Sequence, residues 1–316
     1  MIYFDAHCDT ILDLERNHRS LAERSALGHI DLPRLKQAGV RFQVFALFVQ
    51  ACYRPHGDWD RCLEMARQFR QALEDCGPQV EWVTRAGQLE AARDREEVTC
   101  ALLAVEGGSM LGERLDRLEQ LFALGVRSLT LTWNQRNAIA SGVGDEEDGG
   151  LTPFGRQVVA RMEKLGMAVD LAHISPKGFW DVLEAARKPV LFSHGNARAL
   201  TDHPRNLTDR QLRGLSQNGG LVGVCYVPAF VGLDQSVDGV VRHIDYICQT
   251  LGTAAHTCLG SDFDGTANQP MSAGLEDVTR VPAIAQGLER LGYSQEDIAG
   301  IAWRNLYHYY RNILPV

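Results

Sequence analysis

Seven ionisable side chains each stand at or just past the end of a short apolar run: His7, Asp9, Glu106, His173, His194, Asp262 and Asp264. One such residue alone is ordinarily a cap or a hydrogen-bonded structural group. Together they are harder to explain that way. His7 and Asp9 are two apart, so in a strand they point to the same side and reach one point. Burying three imidazoles with three or four carboxylates is costly unless cations compensate them, and bound metal is the simplest compensation. Nitrogen and oxygen donors without clustered thiolates suit zinc, ahead of manganese or cobalt. Six convergent groups exceed the needs of one tetrahedral ion and fit two ions sharing a carboxylate. Two metals about 3.5–4 Å apart can hold a bridging hydroxide and polarise a carbonyl. A carboxylate outside the ligand set can take the proton of that water and hand it to a leaving amine.

Such convergence requires elements that bring distant strand ends together. Apolar runs recur at Ile2–Phe4, Phe42–Val49, Val98–Val105, Ser128–Thr132, Met167–Leu171, Pro189–Phe192, Leu221–Tyr226 and Thr257–Gly260. Most are continuous rather than alternating, as in parallel strands covered on both faces. Helical stretches lie between them: Asp58–Cys76, Glu113–Leu124, Phe154–Leu165, Lys177–Ala186, Thr208–Ser216 and Val237–Leu251. Thr152-Pro153, Ser175-Pro176 and Thr208-Asp209 read as helix starts, and Gly166 and Gly252 as stops. Eight strands alternating with helices predict an α/β fold of the (β/α)₈ TIM-barrel type, whose chemistry sits at the C-terminal strand ends. The rival, an open doubly wound sheet, calls for a glycine-rich loop after the first strand, where Asp5-Ala6-His7-Cys8-Asp9-Thr10 stands instead. No linker or repeat divides the chain. Residues 1–316 are expected to form one barrel, with helices over 277–291 and 294–314 packed on it.

The net charge of −8, with 23% charged and 45% hydrophobic residues, argues against nucleic acid as a partner. No run approaches the roughly 20 apolar residues of a membrane span, and no secretory signal precedes the polar Asp5–Asp9 stretch. Eight scattered cysteines without a Cys-x-x-Cys pair read as small buried hydrophobes in a reducing compartment, which suggests a cytoplasmic protein. The acidic run Asp145–Asp148 reads as a solvated loop tip. His18, His29, His56, His243, His256 and His308 have no metal-like partner in the sequence.

Eight segments, in order along nearly the whole chain, resemble the membrane (renal) dipeptidase family of the amidohydrolase type. They are Asp5–Thr10, Ala104–Gly108, Gly150–Gly155, Asp170–Ser175, Phe192–His194, Arg205–Asp209, Gly260–Gly265 and Gly274–Val278. The resemblance implies two zinc ions, one held by His7 and Asp9, the other by His173 and His194, with Glu106 bridging. It implies that Asp262 is the general acid/base and that Arg205 grips the free carboxylate of a dipeptide. It further implies a homodimer and tolerance of a D-residue at the second position, hence L-Xaa-L-Xaa and L-Xaa-D-Xaa substrates. A guanidinium beside a dinuclear site can hold a carboxylate bidentately and so measure substrate length.

One position departs from the pattern. Where the family's better-known members carry histidine after the fourth strand, in Leu-Thr-His, this chain has Leu131-Thr132-Trp133-Asn134. An indole offers one N–H donor and no charge, so Trp133 substitutes only in part as a substrate-binding group. Tyr226 and Phe230, after the seventh strand, are expected to line the pocket for the second side chain. Two other functions compete with a dipeptidase. One is a related hydrolase of another small amide or lactam, which Trp133 favours. The other is a metal-stabilised binding protein without catalysis, which the complete set of His7, Asp9, Glu106, His173, His194 and Asp262 disfavours.

Overall fold

The apolar runs become strands because the barrel interior covers one face and helices the other. The computed structural model describes residues 1–267 and 269–316. Its strands are β1 (Tyr3–Cys8), β2 (Val40–Phe48), β3 (Val80–Trp82), β4 (Thr99–Glu106), β5 (Val126–Thr130), β6 (Ala168–Asp170), β7 (Leu191–Phe192), β8 (Leu221–Val224) and β9 (Thr257–Leu259). Strand β1 pairs with both β2 and β9, β2 pairs with β4, and β4 through β9 follow in order, all parallel. Eight strands therefore close into the expected TIM barrel, and an open sheet is ruled out.

Strand β3 is the one the sequence does not announce. It pairs with Thr99–Ala101 of β4, and β5 takes up the same edge from Leu103 onward. Three half-buried residues leave no period to read. The six inter-strand helices lie within two residues of their expected bounds. Their caps work as the sequence suggests: Thr152, Ser175 and Thr208 accept bonds from Gly155, Gly178 and Gln211 amides. The C-terminal segment is more broken than expected. Helices Gln295–Ala299 and Asn305–Ile313 flank a wide turn at Gly300–Arg304.

One buried cluster gathers Phe4, Phe42, Leu102, Ala168, Leu191, Leu221 and Cys258 from seven strands around the ring, which only the barrel interior can do. Tyr310, from the last helix, joins it against Phe42 (ring centroids 5.4 Å apart). The interior residues of β4 are Cys100, Leu102 and Ala104, and Ala101, Leu103 and Val105 face the helical layer. Glu106 is next in the interior series, so strand periodicity alone aims its carboxylate into the barrel mouth. All eight cysteines are free thiols, seven of them buried and Cys52 exposed. No helix among the described residues is long and apolar enough to cross a membrane.

Candidate active site

Five strand ends (β1, β4, β6, β7 and β9) bring the expected side chains together. Glu106 separates two groups of ligands. Its Oε1 lies 2.8 Å from His173 Nε2 and 3.5 Å from His194 Nε2. Its Oε2 lies 3.8 Å from His7 Nε2, which is 3.4 Å from Asp9 Oδ2 and 3.7 Å from Asp262 Oδ1. The two oxygens of one carboxylate thus face opposite donor sets. His7, Asp9, Glu106, His173 and His194 are all buried.

The imidazoles are oriented from behind. His173 Nδ1 donates to Asn134 Oδ1 (2.7 Å). Ser193 Oγ donates to Asp170 Oδ2 (2.6 Å), so it accepts from His194 Nδ1 (2.8 Å). Both rings consequently turn unprotonated Nε2 atoms toward Glu106, and these stand 3.0 Å apart. Two lone pairs that close repel unless a cation lies between them and the carboxylate. Among the described residues, His7 Nε2 and Asp9 Oδ1 are buried with no hydrogen-bond partner. A buried, unpartnered donor set of this composition fits divalent metal on both sides of Glu106. In the sequence Asn134 is only a polar residue beside Trp133 past a strand end, and nothing there connects it with His173. Asn134→Ala is expected to weaken metal binding about 10–100-fold with little change in fold, measured by metal titration against a competing chelator. Unchanged affinity would show that the Nδ1 bond does not position His173.

Three non-glycine residues of the site hold left-handed backbone: His173 (φ 67°), Asp262 (φ 61°) and Asp264 (φ 66°). Such conformations persist only where surrounding bonds impose them. The Val143 amide donates to the His173 carbonyl (2.8 Å). The Asp262 amide donates to the His7 carbonyl (3.2 Å), and Ser261 donates through its amide and hydroxyl to buried Asp5 beneath His7. Gly265 completes this turn: a Cβ there would collide with Asp262 Oδ1 and lie 2.7 Å from Asp9 Oδ2. Asp264, kept apart from the catalytic set by sequence, bonds Thr10 (2.7 Å), Arg19 (3.0 Å) and the His29 amide (2.6 Å). It is a structural brace. Asp145 and Asp148 are also bonded rather than merely solvated. Asp145 accepts from the Arg136 and Gly142 amides, and Asp148 from Ser175 and the Lys177 amide.

A cleft of about 430 Å³ opens above the carboxylates. Arg205, Trp133, Phe230 and Asn134 line it, together with Phe48, Gln50, His203 and Arg16, which the sequence does not single out. Arg205 is 4% exposed. Its Nη2 donates to the His194 carbonyl (3.2 Å), while Nε and Nη1 have no hydrogen-bond partner among the described residues. The ring of Phe230 packs 5.4 Å from its guanidinium. Asn206 fixes this wall by donating to the Thr201 and Phe230 carbonyls. Tyr226 is a correction. It is fully buried edge-on against Phe263 (5.5 Å), off the cleft, because its ring points into the packed wall behind the loop.

Electrostatically the site is short of positive charge. Burial, joined by Asp9, drives the Glu106 pKa well up. Burial and Asp9 also push Asp262 up to about 7, against the pull of His7 and Arg205. Burial opposes charge on His7, yet Glu106, Asp9 and Asp262 outweigh it and lift its pKa to about 10. Burial holds His173 and His194 well below their usual range. Every shift among the acids and His7 is the one that added cations would relieve.

Comparison with known proteins agrees with this geometry. The family model of membrane dipeptidase, peptidase family M19, matches residues 1–313. An uncharacterized dipeptidase of Schizosaccharomyces pombe is 33% identical over 322 aligned residues, covering 92% of this chain and 74% of its own. Dipeptidase AC, a metallopeptidase of family M19, superposes with a TM-score of 0.92 at 28% identity, over 100% of this chain and 99% of its own. A metallopeptidase from Rhodobacter sphaeroides, solved with a phosphinate mimic of the dipeptide L-Ala-D-Ala, gives 0.91 at 28% identity over 99% of each chain.

Proposed function

The chain belongs to the membrane dipeptidase family, peptidase family M19, and is a metal-dependent dipeptidase; from that premise we propose that it uses two zinc ions to hydrolyse L-Xaa-L-Xaa and L-Xaa-D-Xaa dipeptides. The observation that carries the dinuclear reading is the placement of the two Glu106 oxygens against separate donor sets. His7 and Asp9 would hold one ion and His173 and His194 the other, with Glu106 shared. Bound there, zinc supplies an activated water and a Lewis acid for the scissile carbonyl.

The side chains supply the rest. Arg205 keeps Nε–H and Nη1–H unpartnered among the described residues in a buried position, and one of these together with the second Nη2–H suits bidentate capture of the substrate's C-terminal carboxylate. Desolvating that pair makes a missing carboxylate costly and so disfavours amidated or longer peptides. Asp262, which lines the cleft and is lifted toward neutrality, takes the proton from the attacking water and returns it to the departing amine. Trp133 and Phe48 form an aromatic wall, their rings 5.1 Å apart, which excludes water from one side of the cleft.

The test is steady-state hydrolysis of a stereochemically defined dipeptide library by zinc-loaded and chelator-stripped protein. Cleavage that needs metal and is lost when the C-terminal carboxylate is amidated supports the reading. A different outcome would favour the second reading, which Trp133 motivates. Turnover of N-acyl amino acids or lactams with silence on every dipeptide would point to another small amide as substrate.

A further inference from the structure

The cleft crosses the whole barrel mouth. Arg205, His203 and Phe230 stand above β7 and β8, and Phe48 and Gln50 stand at the end of β2. Strands β2 and β7 are four places apart in a ring of eight, so these walls face one another. Arg16 joins the β2 side as the last residue of the helix Thr10–Arg16 that follows β1.

Arg16 differs from the other cations nearby. It is exposed, and among the described residues it forms no ion pair, whereas Arg19 is held by Asp13 and Asp264. A cation at a helix C-terminus is commonplace and needs no ligand. The second observation is its setting: it lines the same cleft as the carboxylate-gripping Arg205, across the metal-site residues from it. The cleft's own carboxylates, Asp9, Glu106, Asp262 and Asp264, are all engaged with His7, His173, His29 or Arg19. Gln50 and the Phe48–Trp133 pair line the same cleft as Arg16. This corner offers apolar surface for methylenes and cationic and amide donors for a terminal group.

We infer that Arg16, assisted by Gln50, receives a carboxylate on the side chain of the substrate's N-terminal residue, so that dipeptides beginning with glutamate or aspartate are preferred. The inference rests on the proposed anchoring of the C-terminal carboxylate at Arg205. A dipeptide held there, with its amide over Glu106, extends its first residue toward β2.

Rates on L-Glu-L-Ala and the near-isosteric L-Gln-L-Ala, and on their D-Ala counterparts, test it. The kcat/KM ratio of Glu to Gln is expected to be about fivefold or more at low salt and to shrink toward one as ionic strength rises. Arg16→Ala brings the ratio to about one, Arg16→Lys retains part of it, and Arg16→Glu favours L-Lys-L-Ala instead. Because each readout is a ratio within one preparation, partial misfolding of a variant does not alter it. Equal rates on Glu and Gln substrates in the unaltered enzyme, or a ratio that survives Arg16→Ala, overturns the inference and leaves the dipeptidase reading standing. Failure to cleave any dipeptide overturns both.

Discussion

Replacing Asp262 by Asn is expected to lower kcat on a dipeptide by about 10²–10⁴-fold while two metals stay bound. The amide keeps the volume and the left-handed turn but has no proton to exchange at neutral pH. Geometry leaves a competing role open to the test, since His7, Asp9 and Asp262 lie close enough together to hold one ion. If Asp262 is a ligand, the variant loses metal along with activity. If it handles protons, metal content by plasma emission is unchanged and only turnover falls. Turnover within tenfold of the parent would remove Asp262 from the mechanism.

Glu106→Gln should be harsher still: metal content falls from two to at most one per chain, and turnover drops by about 10³-fold or more. A carboxylate presents an oxygen to each donor set, whereas an amide presents one oxygen and one NH₂. Whichever way the substituted amide turns, an N–H group faces either His7 and Asp9 or the paired Nε2 atoms of His173 and His194. Metal stoichiometry and steady-state rates measured together decide the point. Two tightly bound ions with near-parental activity would refute the bridging role.

How far the sequence reaches can be judged residue by residue. The eight ring strands are legible because burial on both faces leaves uninterrupted apolar runs, and an ionisable residue ending such a run stands out. That is how His7, Glu106, His173 and His194 could be singled out before any geometry. Strand β3 is too short to carry a pattern. Tyr226 misleads because an aromatic residue past a strand end reads alike whether its ring faces the cleft or the wall. Asn134, Gln50 and Gly265 escape notice for a different reason. Their places depend on what the fold brings to them, namely the His173 ring, the cleft that Arg16 also lines and the Asp9–Asp262 gap. Uncharged side chains in loops advertise none of that.

The seam where β1 meets β9 has a consequence for how the protein is made. Asp5 is tied to Ser261, and Cys8 bridges Phe263, across 256 and 255 positions of chain. On the ribosome, His7 and Asp9 emerge early and must wait for about 250 further residues, roughly 10–50 s at ordinary synthesis rates, before Asp262 exists to face them. Throughout that interval one edge of β1 has no neighbour, the kind of exposed edge that recruits other chains. Sealing the barrel and bringing Asp262 to face His7 and Asp9 are therefore the same late event, so that a nascent chain able to turn over substrate is already a closed one.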